Sequence, residues 1–143
     1  MEKHYDIYKS GGIILRDKKL LVEKSIGKDF YIAPGGSIEA GESSKQALVR
    51  ELMEEFSITT HEEDFEPFGT FYAEAAGQET KVIRMDVFIV KKFEGEPTPS
   101  SEVEFIKWID SDIPADIKVG SIFEHEVIPR LKERGLISWY FSY

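Results

Sequence analysis

Cysteine is absent from this 143-residue chain. Disulfide bridges, thiolate zinc sites and cysteine nucleophiles are therefore excluded. Positive charge is also scarce, because 18 lysines and arginines stand against 27 aspartates and glutamates and give a formal net charge of −9. Proteins that bind nucleic-acid backbones or anionic membranes need positive charge. We therefore expect neither a nucleic-acid polymer nor a membrane as a partner.

Long apolar runs are missing as well. No stretch approaches the roughly 18 apolar residues of a membrane span, and residues 1–6 lack the apolar segment of a signal peptide. We therefore expect a cytoplasmic protein. Hydrophobic residues nevertheless make up 41% of the chain, enough for a sizeable core, and the length suits a single domain over residues 1–143.

Apolar periodicity predicts a mixed α/β fold, with helices that cover a sheet. Two helices are expected: residues 43–56, where Ser43 and Gln46 fit a capping box, and residues 122–134, which Pro129 should kink and Gly135 should end. Residues 94–101 have the composition of a connecting loop. The predicted strands are 12–15 and 20–22, which flank a turn at 16–19, together with 30–32, 65–75, 81–91 and 104–109.

The first predicted helix carries an unusual polar face. Glu51, Glu54 and Glu55 are spaced i, i+3 and i+4, so they share one side of the helix. Each like-charged pair costs about 0.2–0.5 kcal/mol, and Arg50 alone cannot neutralise three carboxylates. A bound Mg²⁺ or Mn²⁺ would account for the arrangement, since both ions prefer oxygen ligands. The alternative is an acidic, solvated helix face.

The segment before this helix is rich in glycine. Gly35 and Gly36 follow Pro34 and allow the backbone to approach a ligand closely, because neither has a Cβ atom. Gly36 and Gly41 also have the separation of a Walker A loop. That interpretation fails, because Glu42 stands where the phosphate-binding lysine is needed and would repel phosphate.

The residues from Gly36 to Ile58 resemble the Nudix box, the motif of the Nudix hydrolase superfamily. Gly36 is followed after five residues by Glu42, and after seven more by Arg50-Glu51-Leu52-Met53-Glu54-Glu55-Phe56-Ser57-Ile58. Eight of the nine specified positions match. The resemblance implies an α/β/α sandwich with a mixed sheet. It also implies Mg²⁺- or Mn²⁺-dependent hydrolysis of the pyrophosphate bond in a nucleoside diphosphate that is linked to another group.

The single departure from the motif is Ser57, where the pattern has glycine. We expect this residue to adopt a left-handed conformation that closes the helix, which costs a residue other than glycine about 1 kcal/mol. Serine tolerates this conformation, and its position contributes no group that the chemistry needs. Activity should therefore be retained.

The resemblance also implies roles for individual residues. Glu51, Glu54 and Glu55 would be metal ligands together with the carbonyl of Gly35. Glu51 is also a candidate for the general base, although the motif does not say which glutamate is the base, and the expected catalytic residues of the motif are Arg50, Glu51 and Glu54. Arg50 would hold Glu51 in place by a charge-assisted hydrogen bond.

Two more carboxylates follow from the resemblance. Glu42 would bind Arg50, or a metal through water. A further catalytic carboxylate is expected from the loop before a later strand, where Glu102 is preferred over Glu104 because Glu104 already begins the strand.

Substrate identity is less constrained. A MutT-like nucleoside triphosphate, cleaved to monophosphate and pyrophosphate, is the expected substrate. ADP-ribose, dinucleoside polyphosphates and sugar nucleotides are alternatives, as is a nucleotide sensor without turnover. The chain has no asparagine, so the base must be recognised by Gln78, by acidic side chains or by the backbone. The aromatic residues at 139–143 fit either a homodimer contact or a terminal strand.

Overall fold

The computed structural model describes residues 3–75 and 78–138 of the chain. Seven strands and two α-helices make up the regular structure of these ranges, with one 3₁₀ turn and one π-helical turn between them. In chain order they are β1 (Ile7–Ile13), β2 (Leu15–Arg16), β3 (Lys19–Ser25), β4 (Gly35–Ser37), α1 (Ser44–Phe56), the 3₁₀ turn Glu62–Asp64, β5 (Phe65–Ala75), β6 (Gln78–Val90), β7 (Val103–Ile109), the π-helical turn Phe123–Val127 and α2 (Ile128–Glu133).

The strands form two sheets. The larger sheet has the order β4-β1-β6-β5 and is mixed, because β1 runs parallel to β6 while the β1–β4 and β5–β6 pairs are antiparallel. The smaller sheet has the order β2-β3-β7 and is antiparallel. The mixed sheet that the sequence predicts is therefore present, and a second sheet accompanies it.

The core is divided between the two faces of these sheets. Adjacent residues on a strand point to opposite faces, so Ile13 packs in one buried cluster and Ile14 in the other, as do Val87 and Phe88. Helix α1 covers one cluster and α2 covers the other. This layering of helix, sheet and helix confirms the predicted α/β sandwich, and the near-continuous apolar run in β6 follows from burial on both faces.

Two local predictions are wrong in detail. Residues 30–32 form only isolated bridges, Tyr31 with Val119 and Ile32 with Glu23. Residues 12–13 belong to β1 in the larger sheet, so only Leu15 and Arg16 pair with β3 across the turn. Strand β4 was not predicted, because its glycines have little intrinsic strand propensity and the strand depends on pairing with β1.

Helix α1 begins and ends as its local sequence predicts. The Ser43 hydroxyl accepts a hydrogen bond from the Gln46 backbone N–H at 3.1 Å, and the Gln46 side chain accepts one from the Ser43 N–H at 2.9 Å. At the other end Ser57 lies in the left-handed region, with φ 58° and ψ 31°. Its N–H donates to the carbonyls of Leu52 and Met53, so the backbone closes the helix where the motif has glycine.

Ser57→Gly is expected to stabilise the fold by up to about 1 kcal/mol, because glycine adopts the left-handed region without steric cost. The gain is limited by the greater flexibility of glycine in the unfolded chain. Urea unfolding of the two proteins measures the difference. Ser57→Ala is the matched control and should not share the gain, since alanine meets the same backbone strain in the left-handed region. Equal stability of all three would contradict this account.

The second helical segment accommodates Pro129 through a change of helix type. Proline lacks an N–H, and its ring disturbs the preceding turn of an α-helix. Residues Phe123–Val127 form a π-helical turn, and Pro129 occupies the first turn of α2, where a missing donor is tolerated. The predicted disturbance is thus a π turn at the junction. Within the ranges described here, no helix is long and apolar enough to span a membrane.

Candidate active site

Arg50 organises the acidic residues around helix α1. Its Nε and Nη2 atoms donate to the two carboxylate oxygens of Glu42 at 2.8 and 2.9 Å, and Nη2 also donates to the Ser37 carbonyl at 3.1 Å. Its Nη1 atom donates to Glu51 at 2.9 Å and to Glu54 at 3.4 Å. The hydrogen bonds that Glu42 accepts from Arg50 lower the pKa of its carboxyl to about 2. One guanidinium therefore joins the loop before α1 to the carboxylates on the helix.

Glu51 lies directly against the backbone of Gly36. A Cβ atom on Gly36 would stand 2.7 Å from the carboxyl carbon of Glu51 and 2.8–2.9 Å from its oxygens. The Glu51 side chain is only 15% exposed, and this burial raises the pKa of its carboxyl. Position 36 therefore has to be glycine, because the Glu51 carboxylate on α1 lies where a Cβ atom would come too close. The sequence alone does not show this reason.

The backbone of Gly35 contacts a second strand and a second carboxylate. Gly35 has φ +140°, and a Cβ atom there would lie 2.1 Å from the Ser10 carbonyl oxygen of β1. Its N–H donates to Glu55 Oε1 at 3.2 Å. The two glycines therefore bring β4 close to both β1 and α1.

Glu55 lies beside a carboxylate that the sequence does not predict as part of the site. Glu23 of β3 is completely buried, and its carboxyl lies beside that of Glu55, so each affects the pKa of the other. Ser25 Oγ donates to Glu23 Oε1 at 3.1 Å, whereas Glu23 Oε2 has no hydrogen-bond partner. Burial raises the pKa of both carboxyls, and in Glu55 the neighbouring Glu23 raises it further. The available signal was a glutamate directly after the apolar run Leu20–Val22.

Glu54 lies at the exposed end of α1, and Glu102 lies on the loop that is bonded to this end. Glu54 is 53% exposed. Ser100 donates from its hydroxyl to the Glu54 carbonyl at 2.6 Å and from its N–H to the Glu55 carbonyl at 2.9 Å, which holds the loop before β7 against the end of α1. Glu102 follows two residues later and is exposed. Among the described residues its carboxylate has no hydrogen-bond or ion-pair partner, while Glu104 pairs with Lys24.

The donor atoms suit a hard divalent cation, although they are not gathered around one point. Within the described part of the chain, no three His, Asp or Glu side chains converge closely enough to surround an ion. Glu51 is turned to Arg50 and Glu55 to the Gly35 N–H. However, half-buried carboxylates with raised pKa values and a buried oxygen without a partner are the groups that Mg²⁺ or Mn²⁺ would satisfy.

A cavity of about 560 Å³ opens beside Gly35 and Gly36. Its size is that of a typical small-molecule site, about 300–1,000 Å³. Apolar side chains from the larger sheet and from the second helical segment supply much of its lining, among them Ile83, Met85 and Phe123. Three lysines also line it: Lys9, Lys28 and Lys118. In a chain with a net charge of −9, this cavity combines apolar surface with positive charge next to the carboxylates.

The buried pair Glu23 and Glu55 predicts how stability depends on pH. A carboxyl whose pKa is raised by folding stabilises the protein fully below the ordinary value of 4.5, and this contribution is lost as the pH rises through the raised value. The free energy of unfolding of metal-free protein is therefore expected to fall from about pH 4.5 up to about pH 9, since the pKa is raised to about 7 in Glu23 and to about 9 in Glu55. Urea unfolding in a chelating buffer measures this slope.

The matched variants for that experiment are Glu23→Gln and Glu66→Gln. Removing the Glu23 charge should flatten the slope, whereas Glu66→Gln, at a half-exposed side chain that lies 3.8 Å from Arg134, should leave it unchanged. A slope that is the same in Glu23→Gln as in the unmodified chain would contradict this prediction.

Comparisons with known proteins give a consistent result. The family model described as NUDIX domain matches residues 9–131. An oxidized purine nucleoside triphosphate hydrolase of Danio rerio is 30% identical over 106 residues, 74% of this chain and 63% of that protein. An 8-oxo-dGTP diphosphatase of Haemophilus influenzae is 37% identical over 81 residues, 54% of this chain and 55% of that protein. The chain thus spans less than two thirds of each of these two relatives.

A solved structure supports the same architecture. A MutT structure from work on Aliivibrio salmonicida and Vibrio cholerae matches with a TM-score of 0.69 and 26% identity. The match covers 89% of this chain and 98% of the other. The similarity therefore extends over most of both chains, well beyond the 23-residue motif.

Proposed function

The chain belongs to the NUDIX domain family and is a Nudix pyrophosphohydrolase, and we propose that it hydrolyses a MutT-like nucleoside triphosphate to a nucleoside monophosphate and pyrophosphate. One observation carries this proposal: the carboxylates that accept hydrogen bonds from Arg50 lie beside Gly35 and Gly36, which line the cavity of about 560 Å³.

The residues that would hold Mg²⁺ or Mn²⁺ are Glu51, Glu54, Glu55 and the carbonyl of Gly35. When bound, the cation would offset the phosphate charge and polarise the phosphoryl oxygens. All four groups are on α1 and the adjoining strand β4. The residues of two neighbouring elements therefore set where the pyrophosphate lies.

Glu51 is the proposed general base. Its raised pKa, caused by burial, suits a carboxylate that accepts a proton from the attacking water near neutral pH. Arg50 donates to Glu51 Oε1 at 2.9 Å, which fixes one oxygen and leaves Oε2 to take the proton. Glu42 holds the guanidinium through two hydrogen bonds. Arg50 and Glu42 therefore act as positioning residues.

The cavity is the proposed site of the nucleoside. Its apolar lining suits a base and a ribose, and its lysines suit the phosphates that extend toward the glutamates. Lys9 lines the cavity, and its positive charge also acts to lower the pKa of Glu23. Glu102, on the loop held against α1 by Ser100, is proposed as the further catalytic carboxylate.

The relatives favour a triphosphate as the substrate. An oxidized purine nucleoside triphosphate hydrolase and an 8-oxo-dGTP diphosphatase are similar in sequence to this chain. We therefore place oxidised and ordinary purine nucleoside triphosphates first among the candidates. ADP-ribose, dinucleoside polyphosphates and sugar nucleotides are the competing substrates.

Phosphate release from a panel of these compounds, with a coupled pyrophosphatase or phosphatase and with Mg²⁺ or Mn²⁺ present, tests the proposal. The expected result is metal-dependent turnover that is fastest with a nucleoside triphosphate, with monophosphate and pyrophosphate as products. Faster turnover of another class would overturn the substrate while keeping the reaction. Binding of a nucleotide without any turnover would overturn the reaction and favour a sensor.

A further inference from the structure

Glu23 is the one side chain in the site that the reaction described above does not use. It lies on β3, in the smaller sheet, whereas the residues of the motif lie on β4 and α1. It is completely buried, and its carboxyl lies beside that of Glu55 and within reach of the Glu51 charge. A strand outside the motif therefore adds a carboxylate to the same cluster.

The backbone of Glu23 is fixed in place. Its N–H donates to the Ile32 carbonyl at 2.9 Å and its carbonyl accepts from the Ile32 N–H at 2.8 Å. On the other side of the strand it pairs with Ile106 of β7. Because both neighbours hold the strand, the carboxylate cannot withdraw to solvent without breaking the sheet, and it stays beside Glu55.

One oxygen of this carboxylate lacks a partner. Oε1 accepts from the Ser25 hydroxyl at 3.1 Å, but Oε2 is buried without a hydrogen bond. No lysine, arginine or histidine within the described ranges forms an ion pair with Glu23. An unsatisfied buried acceptor is costly, so the position would be filled better by an apolar residue unless something binds this oxygen.

We propose that Glu23 Oε2 is a further ligand for a divalent cation, which it would bind together with Glu55. This inference rests on the proposed function, because it adds a carboxylate to the same metal-dependent site. A hard cation would use the free oxygen and reduce the repulsion between Glu23 and Glu55 at the same time. The cation would then join β3, a strand of the smaller sheet, to helix α1 in another layer of the fold.

Titration of the protein with Mn²⁺ alone, followed by electron paramagnetic resonance of the free ion, tests this without nucleotide or turnover. Glu23→Gln is close to isosteric and removes the charge. We expect it to weaken Mn²⁺ binding by about ten- to a hundred-fold, the loss typical when a group that supports a metal site is removed. The control Glu66→Gln removes a half-exposed carboxylate on β5 and should bind Mn²⁺ as the unmodified chain does.

A second variant separates a ligand from a merely structural residue. Glu23→Asp keeps the charge but draws it back by one methylene, so it should bind Mn²⁺ more tightly than Glu23→Gln and less tightly than the unmodified chain. Unfolding in chelating buffer shows whether each variant is folded. Equal Mn²⁺ affinity of the three proteins would overturn the proposal, and so would unmeasurable binding by the unmodified chain.

The outcome is independent of the substrate. Mn²⁺ binding that depends on Glu23, in a protein that leaves nucleoside triphosphates intact, would uphold the ligand and overturn the proposed reaction. Turnover of triphosphates, with a Mn²⁺ affinity that Glu23→Gln leaves unchanged, would uphold the proposed reaction and overturn Glu23 as a ligand.

Discussion

Glu51→Gln is expected to lower kcat/KM for the preferred nucleoside triphosphate by about 10²–10⁴-fold, the usual contribution of a general base. Glutamine keeps the shape of the side chain and an oxygen that can accept the Arg50 hydrogen bond now made at 2.9 Å. It cannot accept the proton of the attacking water, and it is a weaker metal ligand. Steady-state kinetics at saturating Mg²⁺ measures the loss.

The free energy of unfolding of Glu51→Gln should rise slightly or stay nearly the same, although turnover falls. Glu51 is largely buried, and its pKa is raised by burial and by the neighbouring glutamates, so removing its charge relieves repulsion within the cluster. Circular dichroism and urea unfolding check that the fold is intact. Glu66→Gln serves as the control for a glutamate on another part of the surface. Turnover within a few-fold of the unmodified chain would exclude Glu51 as the general base.

The elements that the sequence predicts well are those whose cause is local. Helix α1 follows from apolar periodicity and from the reciprocal hydrogen bonds of Ser43 and Gln46, which lie three residues apart. The left-handed Ser57 follows from the glycine that the motif has at the same place. Such features need no knowledge of distant residues, since each is set within one or two helical turns.

The features that the sequence does not predict depend on contacts between distant segments. Strand β4 exists because Gly35 and Gly36 pair with β1, about 25 residues earlier in the chain. Glu23 is separated from Glu55 by 32 positions and is brought to it by the packing of β3 against α1. A single glutamate in a strand gives no sign of its neighbour. The sequence therefore identifies the carboxylates of the motif and misses the one that another layer supplies.

The same distinction explains why the sequence predicts the reaction but not the substrate. The motif is contiguous, so its carboxylates can be recognised together along one helix. The cavity is lined by segments from residue 7 to residue 123, and no local pattern indicates that Lys9, Lys28 and Lys118 share it. The chemistry of the site is thus encoded locally, whereas the shape that selects a nucleotide is a property of the assembled sheets.

Gly36→Ala is expected to lower kcat/KM by about a hundred-fold, the effect of displacing a catalytic group by roughly 1 Å. The added Cβ would stand 2.7 Å from the Glu51 carboxyl carbon, so the carboxylate must move and its hydrogen bond with Arg50 is strained. The obstacle is the end of a flexible side chain. The fold should therefore lose less than the 1–3 kcal/mol typical of an overpacked core. Kinetics and urea unfolding on the same samples measure both effects.

Gly12→Ala is the matched control, because it adds a methyl group to β1 under the same helix. Its Cβ would meet Leu48 and Val90 at ordinary distances of 3.4 Å, so turnover should be unchanged. The double variant Gly36→Ala with Glu51→Gln tests whether the loss of turnover in Gly36→Ala is caused by the displacement of Glu51. If both changes act through one carboxylate, the combined loss should be much smaller than the product of the two single losses. Independent, multiplying losses would show that Gly36 affects turnover by a route other than Glu51.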